Sequence, residues 1–113
     1  MAGSILYVED EVIDSLETSQ LLEEFGFSEV VTAHDLEQAR AMVRQKRFSH
    51  ALLDVNLGNG DRTFDLAEEL SRMGVRVVFA TGYGPPSLSQ GLSGAGYVEK
   101  PLVEADLREA LSA

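Results

Sequence analysis

Twice in this chain an apolar run stops on a carboxylate. Ser4-Ile5-Leu6-Tyr7-Val8 runs straight into Glu9-Asp10-Glu11, and Ser49-His50-Ala51-Leu52-Leu53 into Asp54 and then Val55-Asn56-Leu57-Gly58-Asn59-Gly60. Two further runs end on Thr81 and, after Tyr97-Val98-Glu99, on Lys100. Short apolar runs broken by acids, Gly and Asn read as strands that each deliver a polar side chain to one edge. Taken alone, Asp54 reads more readily as a cap of the following turn. Acids gathered together repel and raise one another's pKa unless a cation joins them. An all-oxygen donor set of this kind suits Mg²⁺. A lysine is a point charge for phosphoryl oxygens, and a threonine hydroxyl can donate to them. A carboxylate is also a nucleophile that can form an aspartyl-phosphate. In such a transfer the protein mainly positions groups and neutralises charge.

The intervening segments must bring these residues together. Ile13, Leu16, Leu21, Leu22 and Phe25 recur at three- and four-residue spacing, which predicts a first helix with that stripe in the core and a stop at Gly26. A second strand covers 28–33. Asp35 reads as an N-cap, with Gln38 three residues on, for a helix that turns Leu36, Ala39, Met42 and Val43 inward. A third helix is expected from Asp61, with Phe64, Leu66, Ala67 and Leu70 inward and Gly74 past its end. Residues 84–96 hold four Gly, two Pro and three Ser, so any helix there is short and weak, near 87–92. A last helix covers 102–111, with Leu102, Leu107, Ala110 and Leu111 inward. Met42 and Met73 are read as gap fillers, His34 and His50 as surface or strand-edge residues, and Glu99 as a solvated charge opposite Lys100. Glu11 belongs at the first helix N-terminus, where the dipole favours it.

Strand and helix alternate five times. That predicts an α/β fold, a doubly wound parallel sheet with helices on both faces and right-handed crossovers. Ligands of such sheets bind outside the carboxyl ends of the strands. Glu9, Asp10, Asp54, Thr81 and Lys100 would share that edge.

The 113 residues fit one domain, 1–113. Apolar content of 44% and charged content of 25% are ordinary for a globular chain. With no Cys, disulfides and thiolate sites are excluded, and a reducing compartment fits. The N-terminus has no basic secretory signal, and no apolar run approaches the roughly 18 residues that span a bilayer. The expected location is the cytoplasm, away from membranes. A net charge of −10 with scattered Lys and Arg argues against nucleic acid and for cations or basic protein faces.

Over essentially its whole length the chain resembles the receiver domain of bacterial two-component response regulators. The matching pieces are Val8-Glu9-Asp10, Leu53-Asp54, Ala80-Thr81-Gly82 and Lys100-Pro101, in order and at fitting spacings. The resemblance implies a flavodoxin-like (βα)5 fold with strand order 2-1-3-4-5. It implies that Asp54 accepts a phosphoryl group from a histidine kinase or histidine phosphotransfer protein. Glu9 and Asp10 would hold Mg²⁺ with Asp54 and the Asn56 backbone carbonyl. Thr81 and Lys100 would bind phosphoryl oxygens, Thr81 and Tyr97 would form the switch, and the Lys100–Pro101 bond would be cis. Phe79-Ala80-Thr81-Gly82-Tyr83 is similar to a subgroup of mostly standalone receivers, and the lack of a trailing linker agrees with that. Tyr83 becomes a further switch candidate, or a shield against water. Asn56 is placed to orient an attacking water. The implied catalysis is limited to weak self-phosphorylation and self-dephosphorylation. The output partner would be a protein. Competing readings are a receiver module of a hybrid kinase, a docking module without phosphorylation, and an aspartate-nucleophile phosphohydrolase of the haloacid-dehalogenase type. The last wants a second acid where Asn56 stands. A nucleotide-binding domain would need a Gly-rich loop where Glu9-Asp10-Glu11 stand.

Overall fold

The computed structural model describes residues 1–58, 60–82 and 84–113. Five strands, β1 (Ser4–Val8), β2 (Glu29–Ala33), β3 (His50–Asp54), β4 (Arg76–Thr81) and β5 (Gly96–Glu99), alternate with α1 (Val12–Glu24), α2 (Leu36–Gln45), α3 (Phe64–Arg72) and, after β5, α4 (Glu104–Ser112). All strand pairs are parallel, in the order β2-β1-β3-β4-β5. Both faces are covered, so the strands read as continuous apolar runs. Successive residues alternate between the faces. Leu6, Val8, Ala51, Leu53, Val77 and Phe79 pack with Ala39, Leu66, Ala67 and Leu70 from α2 and α3. Ile5, Tyr7, Leu52, Val78 and Val98 pack with Leu22, Leu107 and Leu111 from α1 and α4. The connection from β4 to β5 carries no α-helix among its described residues. It holds a single 3₁₀ turn, Gln90–Leu92, anchored by buried Leu92.

Three expectations need correcting. Helix α1 is rotated from its hydrophobic stripe: Ile13 is 83% and Leu16 63% exposed, and Val12 is exposed beside them. Its inward residues are Ser15, Leu22 and Phe25, with Thr18 and Ser19 half-buried. Local and cross-element hydrogen bonds make that possible. Ser15 donates to the Val12 carbonyl at 2.7 Å, and the Ser19 and Thr32 hydroxyls pair at 3.0 Å. Helix α3 begins at Phe64, not Asp61, because Asp61 belongs to a small hairpin. Leu57 N–H donates to the Asp61 carbonyl at 2.9 Å, and Asn56 and Arg62 form an antiparallel bridge. Met73 is half-exposed at the α3 C-cap and fills no gap, whereas Met42 does pack against the core. Asp35 caps α2 by accepting from Gln38 N–H at 2.7 Å. Glu99 is exposed.

The opposite rim of the sheet is tied by Arg76. Its guanidinium donates to the Ala110 carbonyl at 3.0 and 3.1 Å and to the Gly94 carbonyl at 2.6 Å, joining the last turn of α4 to the segment before β5. His50 is half-buried as the first residue of the central strand β3, 3.1 Å from the Leu111 carbonyl and edge-on to Phe27. Cations suit these last-turn carbonyls. Arg76→Met, which keeps the stem and removes the donors, is expected to cost about 1–3 kcal/mol in a urea titration. An unchanged midpoint would show that the ties carry no stability.

Candidate functional site

The central three strands each end on or just before a polar residue, where the apolar run stops: Glu9 follows β1, Asp54 ends β3 and Thr81 ends β4. Residues 5, 7 and 9 of the first strand share one parity, as do 52 and 54, and 98 and 100. That alternation sends Glu9, Asp54 and Lys100 toward the α1–α4 side, while Thr81 takes the parity of Val77 and Phe79. Glu9, Asp10 and Asp54 form a cluster whose ligand atoms all lie within 4.8 Å of one another. Glu9 and Asp54 are buried and Asp10 is half-exposed. The Lys100 ammonium lies 2.8 Å from Asp54 Oδ2 and 3.1 Å from Glu9 Oε1. Glu9 Oε2 also accepts from Glu11 N–H at 3.3 Å. Asp10 Oδ2 accepts from Gly58 N–H at 2.8 Å, and a Cβ at position 58 would overlap that oxygen. A side chain at position 58 would have to push the Asp10 carboxylate aside.

One ammonium does not neutralise three carboxylates. Burial, reinforced by Asp54 beside it, pushes the Glu9 carboxyl up to about 7, against smaller help from Glu11 N–H and Lys100. Burial disfavours the charged Lys100, but its bonds and charge attraction to Asp54 and Glu9 outweigh that and raise its pKa. Tyr7, buried below Glu9 on the same strand, has its phenol pushed up to about 12, mainly by burial. The donor set at the cluster is oxygen alone. The Asn56–Arg62 bridge adds a main-chain oxygen. Leu57 N–H to Asp61 and Thr63 N–H to Val55 flank it, which makes Asn56 and Arg62 a non-hydrogen-bonded pair. Groups of such a pair point away from the partner strand. The Asn56 carbonyl is therefore turned outward, and no described group donates to it. The set fits a hard divalent cation such as Mg²⁺.

Thr81 ends β4 buried, and its carbonyl accepts from Lys100 N–H at 2.8 Å. It lines a cleft of about 180 Å³ with Val55, Asn56, Arg62 and Pro85. Tyr97 is 42% exposed on β5, paired with Phe79 in register. The Lys100–Pro101 peptide bond is cis. Tyr83 lies outside the described residues. His34 is half-buried, with Nδ1 2.9 Å from the Glu9 carbonyl rather than in the cluster. Sequence reasoning missed Thr63, which is fully buried and donates its hydroxyl to the Asp54 carbonyl at 2.7 Å.

Because Glu9 holds its proton more tightly folded than unfolded, metal-free stability should fall as pH rises from 4.5 to about 7. His50, whose pKa burial lowers, contributes the opposite slope. The informative comparison is therefore with Glu9→Gln. Between about pH 5 and about pH 7.5, wild type is expected to lose more stability, or gain less, than the variant in urea titrations. Parallel profiles would contradict the raised Glu9 pKa.

The model of the response regulator receiver domain family matches residues 5–112. SdrG from Sphingomonas melonis Fr1 is 30% identical, with a TM-score of 0.80, over 96% of this chain and 92% of its own. A CheY-like receiver domain protein from Methanospirillum hungatei JF-1 is 28% identical, with a TM-score of 0.81, over 99% and 92%. A response regulator from Burkholderia pseudomallei, solved with a phosphorylated aspartic acid, a calcium ion and citrate, is 26% identical, with a TM-score of 0.82, over 96% of this chain and 65% of that one. No curated protein sequence matches the chain. With the family match across nearly its whole length and the strand order of that fold, the chain belongs to the CheY-like response regulator receiver domains.

Proposed function

We propose that the chain is a phosphorylation-controlled signalling switch whose phosphoacceptor is Asp54. The observation that carries this reading is the pair of buried carboxylates, Asp54 and Glu9, both held by the Lys100 ammonium, with Asp10 beside them. An Asp54 carboxylate oxygen attacks the phosphorus of a phosphohistidine. The P–N bond breaks, its electron pair stays on the imidazole nitrogen, and that nitrogen takes a proton from solvent. Lys100 holds Asp54 in place and meets the incoming phosphoryl oxygens, and Thr81 donates to another of them. Glu9, Asp10, Asp54 and the Asn56 carbonyl are the residues that would hold Mg²⁺. Bound there, Mg²⁺ would neutralise the carboxylates and the transferring phosphoryl oxygens. The Burkholderia pseudomallei relative, described with a phosphorylated aspartic acid and a calcium ion, supports the same chemistry.

The switch is Thr81 with Tyr97. Drawn toward a phosphoryl group, Thr81 leaves room into which half-exposed Tyr97 moves, and the β4–β5 connection follows. Among its described residues that connection holds one 3₁₀ turn and no α-helix, so little helix has to be rearranged. The readout is a protein-binding face. A phosphohistidine donor, a cytoplasmic location and membership of the standalone Phe-Ala-Thr-Gly subgroup belong to the same proposal. The run Phe79-Ala80-Thr81-Gly82 supports the last.

Incubation with acetyl phosphate and Mg²⁺, followed by intact-mass measurement, should give one phosphoryl adduct in wild type. The adduct should vanish without Mg²⁺ and in Asp54→Asn. An adduct that survives Asp54→Asn would sink the assignment. The exposed Val12, Ile13 and Leu16 turns begin just after Asp10, so a donor domain reaching Asp54 meets them. Leu16→Glu should slow transfer from a phosphohistidine domain at least about tenfold, as loss of an apolar docking contact does. Its acetyl phosphate rate should stay at the wild-type level. Equal losses with both donors would point to damage at the site instead.

A further inference from the structure

Thr63 occupies the N-cap of α3, where a threonine hydroxyl ordinarily accepts from the second or third helical N–H. Here it makes no side-chain cap bond at all. The hydroxyl, fully buried, donates 2.7 Å to the carbonyl of Asp54, nine residues back. The Thr63 N–H donates at 3.3 Å to the next carbonyl, that of Val55. The Thr63 carbonyl in turn accepts from Ala67 N–H at 2.9 Å, so the residue is fixed to α3. Phe64 follows it and packs edge-on to Phe79 at 5.4 Å, which fixes the start of α3 against β4. Thr63 thereby occupies the carbonyls of Asp54, the last residue of β3, and of Val55, and the next one, that of Asn56, is left facing outward.

We propose that Thr63 is a positioning residue for the metal and phosphoacceptor site, and that its hydroxyl, by fixing the Asp54 carbonyl, sets the direction of the Asp54 side chain and of the Asn56 carbonyl. This rests on the reading that these two groups hold Mg²⁺. A capping bond forgone at a helix start needs a reason at the other end, and the end reached is the main chain of Asp54. Without the donor, the buried Asp54 carbonyl loses its side-chain partner, while the main-chain bonds from Leu57 N–H to Asp61 and from Thr63 N–H to Val55 remain. Outer contacts of this kind commonly change metal affinity 10–100-fold.

The test is a Mg²⁺ titration of the unphosphorylated protein followed by amide chemical shifts, with thermal melts run beside it. Thr63→Val is isosteric and lacks the donor, and it is expected to bind Mg²⁺ about tenfold more weakly. Thr63→Ser keeps the donor and should stay within about threefold of wild type. Thr63→Cys, with a weak thiol donor, should fall between them and serves if the valine variant does not fold. Wild-type affinity in the valine or the cysteine variant overturns the inference while the metal reading stands. A serine variant as weak as valine also overturns it, since methyl packing would then be the cause. Wild type that binds no Mg²⁺ overturns the metal reading and this inference together.

Discussion

Lys100 holds two buried carboxylates at once, Asp54 at 2.8 Å and Glu9 at 3.1 Å, with Asp10 completing a cluster that one positive charge cannot balance. Buried charge is tolerated only when paired and hydrogen-bonded. This site meets the condition in part, and the shortfall appears at Glu9, whose carboxyl is pushed up to about 7, by burial first and by Asp54 next. The arrangement is stable enough to form and still short of positive charge. A divalent cation, or a proton on Glu9, would supply what is lacking.

The rest of the fold serves that edge. Parallel strands β1, β3 and β4 bring their carboxyl ends side by side, and the alternation of each strand decides which side chain turns toward α1. Gly58 admits the Asp10 carboxylate, and the hairpin ended by Thr63 fixes the backbone beyond Asp54. Arg76 and His50 tie the far rim, where α4 ends. The two rims thus divide the work: one concentrates charge, and the other uses cationic and ring donors to finish a helix. Between them the β4–β5 connection has, among its described residues, a single 3₁₀ turn and no α-helix.

The strands and their polar ends were legible in the sequence because every apolar run stopped on a polar residue, and five such runs leave little freedom of topology. Helix α1 was misread for a physical reason. Periodicity finds hydrophobic residues but not the side that faces the sheet, and here Ser15, Thr18 and Ser19 turn inward while Val12, Ile13 and Leu16 face out. The start of α3 was misread because Asp61 looks like a cap, whereas its carbonyl completes a hairpin. Thr63 shows the same limit from the other direction. Its identity and place suggest an ordinary N-cap, and only the three-dimensional path of the chain reveals that its hydroxyl is directed at Asp54.

An acidic cluster short of one cation, with Glu9 the group that answers, must release protons when it binds metal. Calorimetric titration of Mg²⁺ at about pH 6.5, in two buffers of different ionisation enthalpy, counts the protons released on binding. Roughly three-quarters of a proton per ion is expected from a carboxyl with a pKa of about 7, and almost none in Glu9→Gln. Mg²⁺ binding with no proton release, or release that persists undiminished in Glu9→Gln, would contradict it.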